Sequence, residues 1–268
     1  MSAVLPSAAG HRFAAPSPRI IGVEALAHLL SHAGFRVLWR DNQSDCKGVC
    51  AGLPSERLEG LDEHLLDGLD RIVEDTHGNR VLVLHQLGSH GPAYASRYPA
   101  AFARFQPACG SAELRECTPA EIVNAYDNSL LYTDHVIASA IRFVQAQQGA
   151  YDTALLYASD HGESLGEHNV YLHGLPRAIA PREQTQVPMV AWLSPGFARS
   201  AALDMNCMSA RAQQPVSHDH LFHTVLGLLD VRTHVYDGAF DLSAGYRRHP
   251  EMPSVAARGR RHAAAAAA

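Results

Sequence analysis

Two short apolar runs, Val81–Leu84 and Thr153–Ala158, each pass directly into a loop rich in glycine and histidine. The first leads into His85-Gln86-Leu87-Gly88-Ser89-His90-Gly91-Pro92, the second into Ser159-Asp160-His161-Gly162-Glu163-Ser164. Short apolar runs without alternation read as strands buried on both faces, the habit of parallel sheets. Helical patterns stand between them. Val23–Ala33 has helical spacing and stops at Gly34, before a short strand Phe35–Trp39. Leu58–Val73 carries leucines at 58, 61, 65, 66 and 69 and reads as one amphipathic helix. Thr118, Pro119 and Glu121 form a helix start with a capping box, and the helix should run to about Gln147. Val187–Leu193 reads as a further strand and Ser217–Leu229 as a helix capped by Ser217. This alternation defines an α/β fold with a mostly parallel central sheet sandwiched by helices.

In such a sheet ligands bind beyond the carboxyl ends of the strands. Both loops fall there, and Tyr171-Leu172-His173-Gly174-Leu175-Pro176 follows closely. Four candidate ligands, His90, Asp160, His161 and His173, should therefore converge on one edge of the sheet. Carboxylate plus neutral imidazole suits zinc or manganese, and the neighbouring glycines let backbone approach an ion or a phosphate. Glu163 and Ser164 are expected to support the ligands rather than to react. His85 reads as structural, and His28, His64, His218 and His223 as surface or supporting residues. Asp127 and Asp134 are expected to fix loops, and Arg182, Glu183 and Gln184 are assigned no role.

The remaining composition excludes more than it assigns. With 22 basic and 27 acidic residues the net charge is −5, and the basic residues are scattered, so nucleic acid is not an expected partner. No apolar run reaches the ~18 to 20 residues that span a bilayer, and prolines interrupt Met1–Ile20. Of five cysteines, Cys46/Cys50 and Cys109/Cys117 are close pairs. Metal or redox thiols are one reading, and short disulfides in an oxidising compartment the favoured one. Cys207 is expected to be a small core residue.

The string from Ser159 to Glu167, with His173-Gly174-Leu175-Pro176, Gly88-Ser89-His90-Gly91-Pro92 and Trp39 through Cys50, closely resembles the periplasmic catalytic domain of lipid A phosphoethanolamine transferases. That group includes the mobile colistin-resistance enzymes and belongs to the alkaline phosphatase/sulfatase superfamily. The resemblance implies zinc-dependent transfer of phosphoethanolamine from phosphatidylethanolamine to lipid A through a phospho-threonine intermediate, conferring polymyxin resistance. It implies that Asp160 and His161 hold the primary zinc. His90 and His173 would line the phosphate pocket or hold a second zinc, and Lys47 would bind substrate. Cys46–Cys50 and Cys109–Cys117 would be disulfides, and the site of action would be the periplasmic face of the inner membrane.

Departures from the family pattern carry expectations too. The strand bearing a glutamate zinc ligand, the threonine nucleophile at a helix start and the membrane domain have no match in this sequence. Residues 1–19 read as a disordered or non-native start, 20–248 as a partial sulfatase-like domain and 249–268 as a disordered tail. The chain is thus expected to lack the first strand of the sheet and to be impaired as a transferase. The alternatives are a sulfatase- or phosphatase-type hydrolase, and an inactive zinc-binding or structural remnant.

Overall fold

The computed structural model describes residues 2–6, 26–43, 46, 48–74 and 78–247. Lys47, the start of the first expected helix at 23–25 and the tail expected at 249–268 lie outside the described residues.

Strand β1 (Ser2–Pro6) falls within the segment expected to lack structure, and it pairs antiparallel with a strand near the end of the chain. Helix α1 (Leu26–His32) ends where Gly34 takes a φ of +90°, and β2 (Arg36–Asp41) follows. β2 is flanked in parallel by β3 (Ser55–Arg57) and β4 (Arg80–His85), forming one three-stranded sheet. The amphipathic stretch between β3 and β4 is not one helix. It divides into a 3-10 turn at Asp62–Leu66 and a short α2 (Leu69–Glu74). Asp67 is extended and Gly68 has a φ of +67°, a conformation that stops a right-handed helix, while Leu65 and Leu69 remain fully buried on either side of the break.

Helix α3 (Pro119–Ala146) is 28 residues long and starts as its sequence dictates. The Glu121 amide donates to Thr118 Oγ1 at 3.3 Å and the Thr118 amide to Glu121 Oε2 at 2.7 Å, so two otherwise orphaned donors are satisfied reciprocally. Its buried stripe packs Ile122 and Ala125 against Tyr94 and Cys109, and Tyr132 and Val136 against Tyr98. α3 delivers the chain to β5 (Ala154–Ala158). A small hairpin, β6 (Ser164–Leu165) with β7 (Tyr171–Leu172), and one turn of helix, α4 (Arg182–Thr185), precede β8 (Pro188–Leu193).

β8 runs antiparallel to β5, with Ala158 opposite Met189, and it also receives β1. This pair departs from the expected parallel habit because the segment between the strands stays at one end of the sheet. β5 leaves at that end and β8 re-enters from it. Helices α5 (Pro195–Ser200), α6 (Met205–Arg211) and α7 (Asp219–Leu228) close the fold. Leu226 of α7, Leu30 of α1 and Val37 of β2 share one core cluster. Ser217 does not occupy the cap position expected of it. His218 precedes the first helical residue, and the Ser217 hydroxyl instead donates to Asp219 Oδ2 at 3.1 Å.

Both expected disulfides are formed, Cys46–Cys50 with a Cα separation of 5.8 Å and Cys109–Cys117 with 5.7 Å. Cys207 is exposed on α6 rather than buried, because that helix places no residue in the core. No helix among the described residues is long and apolar enough to cross a membrane.

Candidate metal centre

Beyond β4, the loop carrying His90 turns at Gly91, and beyond β5 the chain places His161 against it. β7 ends one residue before His173 and brings that ring in from the side. One ring nitrogen from each of His90, His161 and His173 lies within 4.8 Å of the others. The ring centroids of His161 and His173 stack at 3.8 Å, and His90 stands across them at 5.6 and 4.7 Å.

The second nitrogen of each ring is engaged. His90 Nδ1 bonds the Gly91 carbonyl at 2.7 Å, His161 Nδ1 the Gly162 carbonyl at 3.1 Å, and His173 Nδ1 the Glu163 carboxylate at 3.2 Å. All three partners are pure acceptors, so Nδ1 carries the proton and Nε2 keeps its lone pair. Backbone carbonyls at His90 and His161 and the Glu163 carboxylate at His173 thereby leave three neutral nitrogen donors close together.

Glycine makes the approach physically possible at two points. A Cβ on Gly162 would fall 2.0 Å from the Glu183 carbonyl oxygen, and one on Gly91 would fall 2.6 Å from Leu172 and 2.7 Å from the Tyr94 hydroxyl. Neither contact leaves room for a side chain. The Gly162 amide donates to the Gln184 carbonyl at 3.0 Å, and buried Gln184 Nε2 donates to Ser164 Oγ at 3.0 Å. Gln184, given no role by the sequence reading, thus anchors the loop that presents His161.

Glu163 is almost fully buried, and its Oε1 accepts from both His173 Nδ1 and the Gly91 amide at 2.9 Å. The supporting role expected for it is therefore geometric as well as electrostatic. Its neighbour Tyr94 has its phenol pushed far above the ordinary value, first by burial and then by the Glu163 charge. Arg97, which spacing did not single out, donates from Nε to the His90 carbonyl at 2.8 Å. Burial lowers its guanidinium pKa, with the Asp62 charge opposing.

His161 joins His90 and His173, whereas the Asp160 carboxylate is largely exposed and stands at the rim, 3.8 Å from His161 Nε2. Asp160 Oδ1 accepts from the His161 amide at 3.0 Å. His85 is structural as expected, bonding the buried Asp41 on β2. Asp62 holds the other end of that loop, accepting from the Leu87 and Gly88 amides at 2.9 and 2.7 Å. His218 is exposed and bonds the Ser159 carbonyl at 2.7 Å, beside Asp160.

The chain belongs to the sulfatase family, whose model, described as Sulfatase, matches residues 5–231. Its relatives within that family are phosphoethanolamine transferases. It is 43% identical over 241 residues to phosphoethanolamine transferase EptA of Escherichia coli K12, covering 85% of this chain and 44% of that protein. It is 40% identical over 227 residues to phosphatidylethanolamine transferase Mcr-1 of Escherichia coli, covering 78% and 40% respectively. The solved soluble domain of lipooligosaccharide phosphoethanolamine transferase A from Neisseria meningitidis superposes with a TM-score of 0.80 at 40% identity, covering 84% of this chain and 71% of that one. The chain thus spans less than half the length of these curated relatives.

Proposed function

We propose that this chain carries the metal-binding, phosphate-facing part of a phosphoethanolamine transferase, which moves phosphoethanolamine from phosphatidylethanolamine to lipid A at the periplasmic face of the inner membrane. The observation that carries the reading is the convergence of three imidazoles whose Nδ1 atoms are all tied to acceptors. Three neutral nitrogen donors with a further position open fit zinc as found in catalytic sites. His90, His161 and His173 would hold the ion, with Asp160 completing the set from the rim. A separate second ion at His90 and His173 is the arrangement that the resemblance alone implies. When bound, zinc supplies Lewis-acid stabilisation to the oxygens of a transferring phosphoryl group.

The chain's own residues orient and insulate that group. Glu163 keeps His173 turned by accepting its Nδ1 proton, and Arg97 fixes the backbone of His90. Lys47 is proposed to bind the phosphate or headgroup of the substrate. The chain by itself is proposed to be impaired in transfer, because the threonine nucleophile that the resemblance implies has no match in its sequence.

Zinc content and affinity of the purified chain, measured by elemental analysis and chelator competition, test the proposal. Stoichiometric zinc that weakens in His161→Ala and Asp160→Ala supports it, and zinc indifferent to both substitutions sinks it. Transfer from a fluorescent phosphatidylethanolamine to lipid A, assayed with zinc present, tests the impairment. Turnover by the chain alone would overturn that part.

A further inference from the structure

Glu163 is buried, yet only one of its carboxylate oxygens is used. Oε1 accepts from the Gly91 amide at 2.9 Å and from His173 Nδ1 at 3.2 Å, while Oε2 is sealed from water with no hydrogen-bond partner among the described residues. The Tyr94 hydroxyl is sealed and unbonded in the same way. Buried polar atoms are nearly always paired, so two such orphans require a physical reason. Both belong to residues that meet at Gly91. A Cβ on Gly91 would fall 2.7 Å from the Tyr94 hydroxyl, and the Gly91 amide is a donor to Glu163 Oε1. One orphan is a donor and the other an acceptor. After burial, the Glu163 charge is the next cause that keeps the phenol protonated.

Tyr94 is firmly held. It opens a 3-10 turn, Tyr94–Arg97, and its ring is buried with Cys109, Ile122 and Ala125 and set edge-on to Tyr126 at 5.4 Å. A carboxylate gripped through one oxygen is less restrained, because its last torsion is broad and two-fold, and rotation about it carries Oε1 away from His173. We propose that Tyr94 is a positioning residue for the histidine centre: its hydroxyl donates to Glu163 Oε2, which fixes the plane of the carboxylate and through it the ring of His173. One turn then serves two of the three imidazoles. Arg97 holds the His90 carbonyl at 2.8 Å, and Tyr94 holds Glu163. The inference deepens the metal-binding reading and rests on it for the effect on zinc, whereas the effect on the His173 ring belongs to the metal-free chain.

Tyr94→Phe provides the test, since it keeps the buried ring and removes only the hydroxyl. In the metal-free chain, proton and nitrogen NMR of the imidazoles should show the His173 Nδ1 proton exchanging with water at least tenfold faster than in the parent. Zinc affinity, read by chelator competition, should fall at least fivefold while thermal unfolding stays cooperative. The same substitution made in Glu163→Ala should weaken zinc less than twofold further, because the hydroxyl acts through the carboxylate that is then gone. An unchanged His173 Nδ1 proton in Tyr94→Phe overturns the proposal, and so does an equal loss of zinc affinity with and without Glu163. If Glu163→Ala does not fold, the imidazole measurement on Tyr94→Phe alone decides. Zinc failing to bind the parent chain would overturn the metal assignment instead, and the metal-free measurement would still decide the role of Tyr94.

Discussion

Glu163 and His173 are ten residues apart and joined by a 3.2 Å contact between a buried carboxylate and Nδ1 of a half-buried imidazole. The same carboxylate oxygen takes the Gly91 amide, so one side chain couples the loop beyond β4 to the ring that follows β7. Glu163→Gln preserves the shape of this link but removes its charge and puts a competing amide donor beside Nδ1. Partners of this kind typically influence metal affinity by about 10- to 100-fold. Zinc affinity of the variant should fall within that range while the thermal melting curve stays cooperative, and unchanged affinity would refute the coupling.

Gly162→Ala tests the loop from its other side. The added methyl group meets the Glu183 carbonyl at 2.0 Å, and backbone cannot rotate away as a side chain can. Overpacking of this kind costs roughly 1 to 3 kcal/mol. Urea unfolding should show a loss of that size, together with weaker zinc binding, because the Gly162 carbonyl also orients His161.

Removal of the Cys109–Cys117 disulfide, by Cys109→Ser with Cys117→Ser, should destabilise the chain by roughly 2 to 3 kcal/mol, given a loop closed over a separation of eight residues. Cys109 is itself buried against Tyr94 and Ile122, so the loss should reach the loop that carries His90. The check is chemical denaturation of the double variant beside the parent under non-reducing conditions.

Alkaline pH should unfold the protein through its buried phenols. Tyr126 is pushed up to about 12 by burial, with the Glu163 charge second, and Tyr132 to about 12 by burial, opposed by the hydrogen bond it accepts from the Glu63 amide. A pKa raised in the folded state means that the unfolded chain loses its proton first. The associated stability is complete below the ordinary value of 10.0 and is lost as pH rises to about 12. Tyrosinate absorbance and circular dichroism recorded together should show these groups ionising with unfolding, and early ionisation in a folded chain would contradict their burial.

Much of the scaffold was legible because local chemistry enforces it. The capping box of Thr118 and Glu121 starts α3 by satisfying donors within one turn, and the apolar runs of β4, β5 and β8 are of strand length and too short for buried helices. The stretch Leu58–Val73 misled because leucine spacing resembles a helix face, while Gly68 lets the chain turn and bury Leu65 and Leu69 from two short pieces. Cys207 misled because cysteine is commonly buried, whereas α6 lies on the surface.

By itself the sequence determined the alternation of helices and strands, the family, the two close cysteine pairs and the set of residues from which a metal site could be built. Apart from the family, which the resemblance of its motifs carries, these are properties of periodicity, capping and short spacing, which act within a few residues. Only the tertiary structure decided that His161 joins His90 and His173 while Asp160 stays at the rim, because that choice depends on how loops distant in sequence are held together by Glu163, Gln184 and Arg97.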